Sequence, residues 1–208
     1  MTPEQQKFYD IKHTTDYKTV GEDVDYKVFV DHEKKEVVLQ FEESDSREDW
    51  KHNLQFLPWP IKLGDKWAWT TRGYALAYKS TKDQPLYDLI NAWWDVPAAD
   101  RPYKLCIRGW SFGSAMAKIA ARRAGIEIDE LTTYGDVKCW LNPFYKAQNI
   151  KRQREYVTPN DAVTWCVPFF HRDRKCTVGP RFSIKEVLHS DRYHQNYEEY
   201  DYSKWEEA

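Results

Sequence analysis

Residues 109–113 read Gly109-Trp110-Ser111-Phe112-Gly113, a Gly-x-Ser-x-Gly run. A serine set between two glycines suits nucleophilic attack on an acyl group when a sharp strand-to-helix turn holds it. Such a turn strains the backbone of its central residue, and its neighbours must be small because strands and helix crowd it. A helix starting directly after the serine aims N–H groups and a positive dipole end at a developing oxyanion. The same residues also fit a plainer role, a glycine-bounded turn whose serine caps the helix.

A serine nucleophile needs a base and an acid that orients the base, in the chain order Ser, Asp/Glu, His on such a sheet. Asp161 follows the β-rich run 155–158 through Pro159-Asn160, so it stands at a strand's C-terminal end. Open α/β sheets carry their sites there. Asp161 also reads as an ordinary turn aspartate. His171, His189 and His194 lie downstream, and spacing does not choose among them.

The elements that must position these groups are legible as periodicities. Thr2-Pro3-Glu4-Gln5 carries the signals of a helix start, with a capping threonine, proline at the first helical position and a reciprocal glutamine. The helix is expected to end before Thr14. Residues 26–30 and 37–41 are β-rich and flank a polar turn, a hairpin pattern. Residues 44–54 are almost wholly polar, and the stretch around Pro58 and Pro60 reads as irregular. Leu86, Leu89, Ile90, Trp93 and Trp94 repeat at helical spacing between Pro85 and Pro97. A strand is predicted over 103–107. Phe112, Ala115, Met116, Ile119 and Ala120 then give an amphipathic helix closed by Gly125. Further short strands fall at 131–134 and 155–158. A hairpin followed by strands alternating with helices predicts an α/β fold with a mixed, mostly parallel sheet, and a single domain over 1–208.

Composition bounds the partners. The chain has 208 residues with 31 Lys+Arg against 33 Asp+Glu, a net charge of −2, so there is no basic excess for nucleic acid. No apolar run reaches the length of a membrane span and no secretory leader pattern is present, so a cytoplasmic protein without stable membrane insertion is expected. Cys106, Cys139, Cys166 and Cys176 include no Cys-x-x-Cys pair, which argues against zinc and for reduced thiols. Ten Trp, fourteen Tyr and nine Phe equal the valines, isoleucines and leucines together, so the core must be aromatic-rich. The tryptophans also suit a sugar-stacking surface, although scattered tryptophans are more often core. Oligomeric state is not legible.

A series of motifs over 37–197, roughly three quarters of the chain, resembles the class 3 lipase family of α/β-hydrolases. Residues 37–46, with Phe41-Glu42-Glu43-Ser44 within them, look like that family's strand and Phe-Arg-Gly-Ser/Thr. Asp49-Trp50 and Asn53-Leu54 resemble its Asp-Trp and Asn-Leu. Gly73-Tyr74-Ala75-Leu76-Ala77-Tyr78 is similar to its Gly-Phe-x-x-Ala-Tyr, and Gly109-Trp110-Ser111-Phe112-Gly113-Ser114-Ala115 to its elbow. Thr133-Tyr134-Gly135, Asp161 to Pro168, and His194-Gln195-Asn196-Tyr197 resemble its Thr-Phe-Gly, its acid loop and its terminal His-x-x-Tyr.

The resemblance implies an α/β-hydrolase-like three-layer sandwich and a carboxylic ester hydrolase of lipid metabolism acting on small ester or lipid molecules. It implies Ser111 as nucleophile, Asp161 as orienting acid and His194 as general base. Ser44 and the Phe112 N–H would form the oxyanion hole, with no cofactor and no metal. The chain departs from the pattern at Glu42-Glu43, which replace Arg-Gly and set two negative charges beside the oxyanion position. Trp110 replaces a histidine, Ser114 replaces a glycine, and Pro168 falls one residue late. These departures support a second reading, a hydrolase-fold binding or structural module without turnover. In class 3 lipases the segment after the oxyanion strand is a lid. Here 44–57 is rich in charge, and Trp50, Leu54, Phe56 and Leu57 are expected to pack inward. Such a lid exposes little apolar surface on opening and so points to short or soluble esters. Trp59, Trp67 and Trp69, just beyond it, offer an alternative lipid-facing rim.

Overall fold

The computed structural model describes residues 1–43, 55–97, 102–141, 149–167 and 169–206. Helix α1 (Pro3–His13) starts as its sequence dictates. Thr2 accepts a hydrogen bond from the Gln5 backbone, and the Gln5 side chain accepts one from Thr2 N. Strands β1 (Lys18–Val20), β2 (Val24–Asp31) and β3 (Glu36–Phe41) pair antiparallel. Then β4 (Pro58–Leu63) and β5 (Lys66–Thr71) form a separate two-stranded ribbon. Helices α2 (Arg72–Ser80) and α3 (Gln84–Asp95) precede β6 (Lys104–Trp110), α4 (Phe112–Arg123), β7 (Ile128–Tyr134) and β8 (Ile150–Val157). The described chain closes with β9 (Lys175–Thr177) and three short helices, α5 (Ile184–Val187), α6 (Ser190–Gln195) and α7 (Ser203–Glu206).

The main sheet runs in the order β1-β2-β3-β6-β7-β8-β9. Every pairing from β3 onward is parallel. This is the expected mixed, mostly parallel α/β sheet. Register matters for the site: Phe41 pairs with Gly109, Gly109 with Thr133 and Thr133 with Glu155. Glu43, Ser111 and Asp161 thus all follow the C-terminal ends of neighbouring or near-neighbouring strands.

The ribbon corrects the irregular reading of the Pro58/Pro60 stretch. Both prolines lie in an exposed edge strand of two-stranded pairing, where a missing N–H costs no interior ladder bond. The tryptophans correct a second expectation. Trp110 and Trp140 are buried, whereas Trp59, Trp67, Trp69, Trp94 and Trp165 are exposed. Tyrosines do much of the filling instead. Phe8, Trp110, Tyr134, Tyr156, Tyr197 and Tyr202 form a buried aromatic cluster between α1, the sheet and the C-terminal segment. Leu57, expected to pack inward, is exposed, while Phe56 packs against the main core.

Burial also falls on charge. Lys118, wholly buried on α4, donates to Asp136 Oδ2 at 2.9 Å and to Val137 O at 2.6 Å. Arg172 Nε stands 3.1 Å from the same carboxylate, and Thr133 donates to its other oxygen at 2.8 Å. The four cysteines are unbridged, and Cys106 is buried within β6. Among the described residues no helix is long and apolar enough to cross a membrane.

Candidate active site

Ser111 links β6 to α4 with φ 54° and ψ −123°, a region that non-glycine residues avoid. The strain persists because the surroundings leave no alternative. A Cβ on Gly109 would meet Gly113 O at 2.3 Å, and one on Gly113 would meet Glu42 O at 2.2 Å. Both glycines therefore let β3, β6 and α4 close on the turn. Ser111 N donates to Tyr134 O at 3.0 Å, which ties the turn to β7. Phe112 opens α4, and its ring packs on Tyr74.

Asp161 follows β8 and caps a short 3-10 helix, Ala162–Trp165, accepting from Val163 N at 3.0 Å. Its other oxygen, Oδ2, accepts from His194 Nδ1 at 2.7 Å and from the Tyr197 hydroxyl at 3.1 Å. Tyr197 Oη in turn accepts from Thr158 N at 3.0 Å, so the carboxylate is held from both ends of its own loop. Of the three downstream histidines, only His194 is buried. His171 is exposed and pairs through its backbone with Trp140, and His189 is exposed at the start of α6.

His194 Nε2 faces a second carboxylate. It stands 3.1 Å from Glu43 Oε1, an ion-pair contact off the line of a hydrogen bond. Glu43 is steadied there by Gln195, whose side-chain amide donates to Oε2 at 3.0 Å. Burial alone pushes the imidazole pKa down, but Asp161 and Glu43 outweigh it and raise it from 6.5 to about 9. The ring is therefore an imidazolium at neutral pH. Among the described residues Nε2 has no hydrogen-bond partner, so Ser111 and His194 are not joined in this state.

Three of the expected site residues thus gather at one end of the sheet, and Phe112 is with them. Ser44 and Pro168 lie outside the described residues. Sequence reasoning assigned no role to Tyr197, Gly135 or Trp110. Gly135 has φ 52°, and a Cβ there would lie 2.7 Å from His194 Cε1, so only glycine leaves room for the ring. Trp110, in place of the expected histidine, donates from Nε1 to His194 O at 3.2 Å. The motifs Thr133-Tyr134-Gly135 and His194-Gln195-Asn196-Tyr197 contained two of these groups; nothing local betrayed what they touch.

Solved structures of similar fold include fungal lipases. One, described as a triacylglycerol lipase with a serine protease triad, gives a TM-score of 0.65 at 19% identity, over 79% of this chain and 65% of that one. The fold is that of the fungal lipases. Rhizomucor miehei triacylglyceride lipase matches at TM-score 0.59 and 18% identity, covering 77% of this chain and 64% of its own. Lip2 lipase from Yarrowia lipolytica matches at 0.58 and 16%, covering 80% and 65%. The chain thus spans less than two thirds of the length of the lipases it resembles. No family model matches the chain. No curated protein sequence matches it either.

Proposed function

We propose that this lipase-fold protein is a serine carboxylic ester hydrolase working through Ser111, His194 and Asp161. The observation that carries the reading is the strained elbow serine beside a buried imidazole held at 2.7 Å by an oriented carboxylate. In the working state the ring first gives up its Nε2 proton to solvent and leaves Glu43, and the neutral imidazole then takes the proton of Ser111 Oγ as that oxygen attacks an ester carbonyl. The Phe112 N–H donates to the tetrahedral oxyanion, and Ser44, outside the described residues, is proposed as the second donor. Asp161 holds the tautomer and stabilises the cation. His194 then protonates the leaving alcohol, and an activated water hydrolyses the acyl-enzyme. The polar composition of 44–54 favours short or soluble esters, while exposed Leu57, Trp59, Trp67 and Trp69 count toward an interface.

The Glu43 contact on Nε2 favours a second reading, a module that binds without turnover. One experiment separates them: hydrolysis of p-nitrophenyl esters of increasing chain length by the wild type and Ser111→Ala, with the longer esters taken through their critical micelle concentration. The account expects turnover of acetate and butyrate, a loss of several orders of magnitude in Ser111→Ala, and no jump in rate on aggregation. Equal rates in the two proteins would refute the nucleophile. A sharp rise at aggregation would refute the substrate class.

A further inference from the structure

A cavity of about 450 Å³, with none of Ser111, Asp161 and His194 in its wall, lies between the β4–β5 ribbon, α2 and the C-terminal end of α4. Helix α4 runs from Phe112 at the elbow to Arg123 at the cavity, and twelve residues at 1.5 Å each span about 18 Å. The apolar part of the wall includes Trp59, Ile61, Trp67 and Tyr78. The two indoles are 42% and 66% exposed. Exposed aromatic area beside a cavity of this size is what a bound apolar body would cover.

The remaining wall is cationic: Lys62, Lys79, Lys82 and Arg123 face a single acid, Asp83. Arg123 engages both oxygens of that acid, with Nε 2.7 Å from Oδ1, and spends Nη1 on Lys62 O at 2.6 Å. The Asp83 charge is thereby neutralised. Lys62, Lys79 and Lys82 make no ion pair with any carboxylate among the described residues, so the wall carries an excess of three positive charges on a chain whose net charge is −2.

Two further observations mark this as more than a surface dent. Tyr78 is 2% exposed, and its hydroxyl, off hydrogen-bond geometry among the described residues, stands buried at the cavity wall beside Asp83 and Arg123. Lys82 and Asp83 hold successive positive φ values of 52° and 61° at the corner between α2 and α3. Such strained backbone clusters where ligands are clamped.

We infer that this cavity is a second binding site, separate from the elbow, for an amphiphilic anion: an apolar chain lying against Trp59 and Trp67 and a carboxylate or phosphate head among Lys62, Lys79 and Lys82. The inference does not depend on Ser111 being a nucleophile. The test is calorimetric titration of the whole chain, as Ser111→Ala so that no turnover intervenes, with decanoate and decyl phosphate below their micelle concentrations. Decyl maltoside serves as the uncharged probe and phosphatidylglycerol vesicles as the membrane arm.

The site requires saturable 1:1 binding of both anions and at least about tenfold weaker binding in Lys79→Glu/Lys82→Glu. Binding must also fall with added salt. Both lysines are exposed, so the variant should fold, and an unchanged thermal midpoint would show it. Equal affinity for decyl maltoside, or affinity unmoved by charge reversal, would overturn the assignment. Binding to vesicles without binding of the monomeric anions would overturn it too, in favour of a surface that docks on membranes.

Discussion

His194 lies between two carboxylates, and its proton decides what the site can do. With the pKa near 9, roughly one ring in a hundred is neutral at pH 7, and only a neutral ring accepts the Ser111 proton. Activity should therefore climb with pH up to about 9. Glu43→Gln removes one of the two anions and should move that climb to lower pH, raising kcat/KM at pH 7 about tenfold for each unit moved. Stability responds with the opposite sign. A histidine whose folded pKa is raised stabilises the fold below about 6.5 and loses that contribution as pH passes 9. Glu43→Gln should thus melt below the wild type at pH 6 and level with it at pH 9.5. A pH–rate profile unchanged by the substitution would mean that Glu43 does not govern the ring. At this scale the sequence singled out Ser111 and Asp161 unaided, and the resemblance selected His194. The sequence also flagged Glu43 as out of place beside an oxyanion. It did not reveal that the carboxylate reaches the base, because that contact joins residues 151 positions apart, through the parallel pairing of β3 with β6 and the hydrogen bond of Trp110 at the end of β6 to His194.

The elbow is an element-level device, since its geometry depends on β3 and α4 closing over β6. Gly113→Ala sets a Cβ 2.2 Å from Glu42 O and 2.8 Å from Phe41 O, both backbone atoms. Neither can move without disturbing β3, so the cost should reach about 3 kcal/mol and esterase activity should fall with it. Gly64→Ala is the control. It meets nothing within 4 Å and pays only for φ +58°, about 1 kcal/mol. Thermal unfolding of the pair checks the order; equal losses would mean the elbow has slack. Elements with strong period were legible: α1, the β2–β3 hairpin, α3, β6 and α4 all stand within a few residues of their expected bounds. The ribbon was not, because Pro58 and Pro60 read as breakers and only pairing with β5 shows them at an exposed edge.

Across the whole molecule, the sheet is braced by charge as well as by aromatic packing. Lys118 on α4 and Asp136 after β7 are both wholly buried, so Lys118→Met leaves a carboxylate with Arg172 and Thr133 but without its ammonium. The expected loss is about 3 kcal/mol, at the low end for a broken buried pair because those two partners stay. Denaturant unfolding measures it, and a loss below about 1 kcal/mol would show the pair to be dispensable. Nothing in the pattern of α4 announced a buried lysine; at sequence level Lys118 reads as a favourable charge in the helix's later turns. The central claim, that Ser111 is a nucleophile activated by His194, is tested most directly by an alkyl fluorophosphonate. The protein is labelled from pH 6 to pH 9.5 and the adduct located by mass spectrometry. The account predicts one adduct per chain, on Ser111, formed faster as pH approaches 9 and lost in His194→Ala. No adduct on Ser111 at any pH in the folded protein, or labelling indifferent to His194, would contradict it.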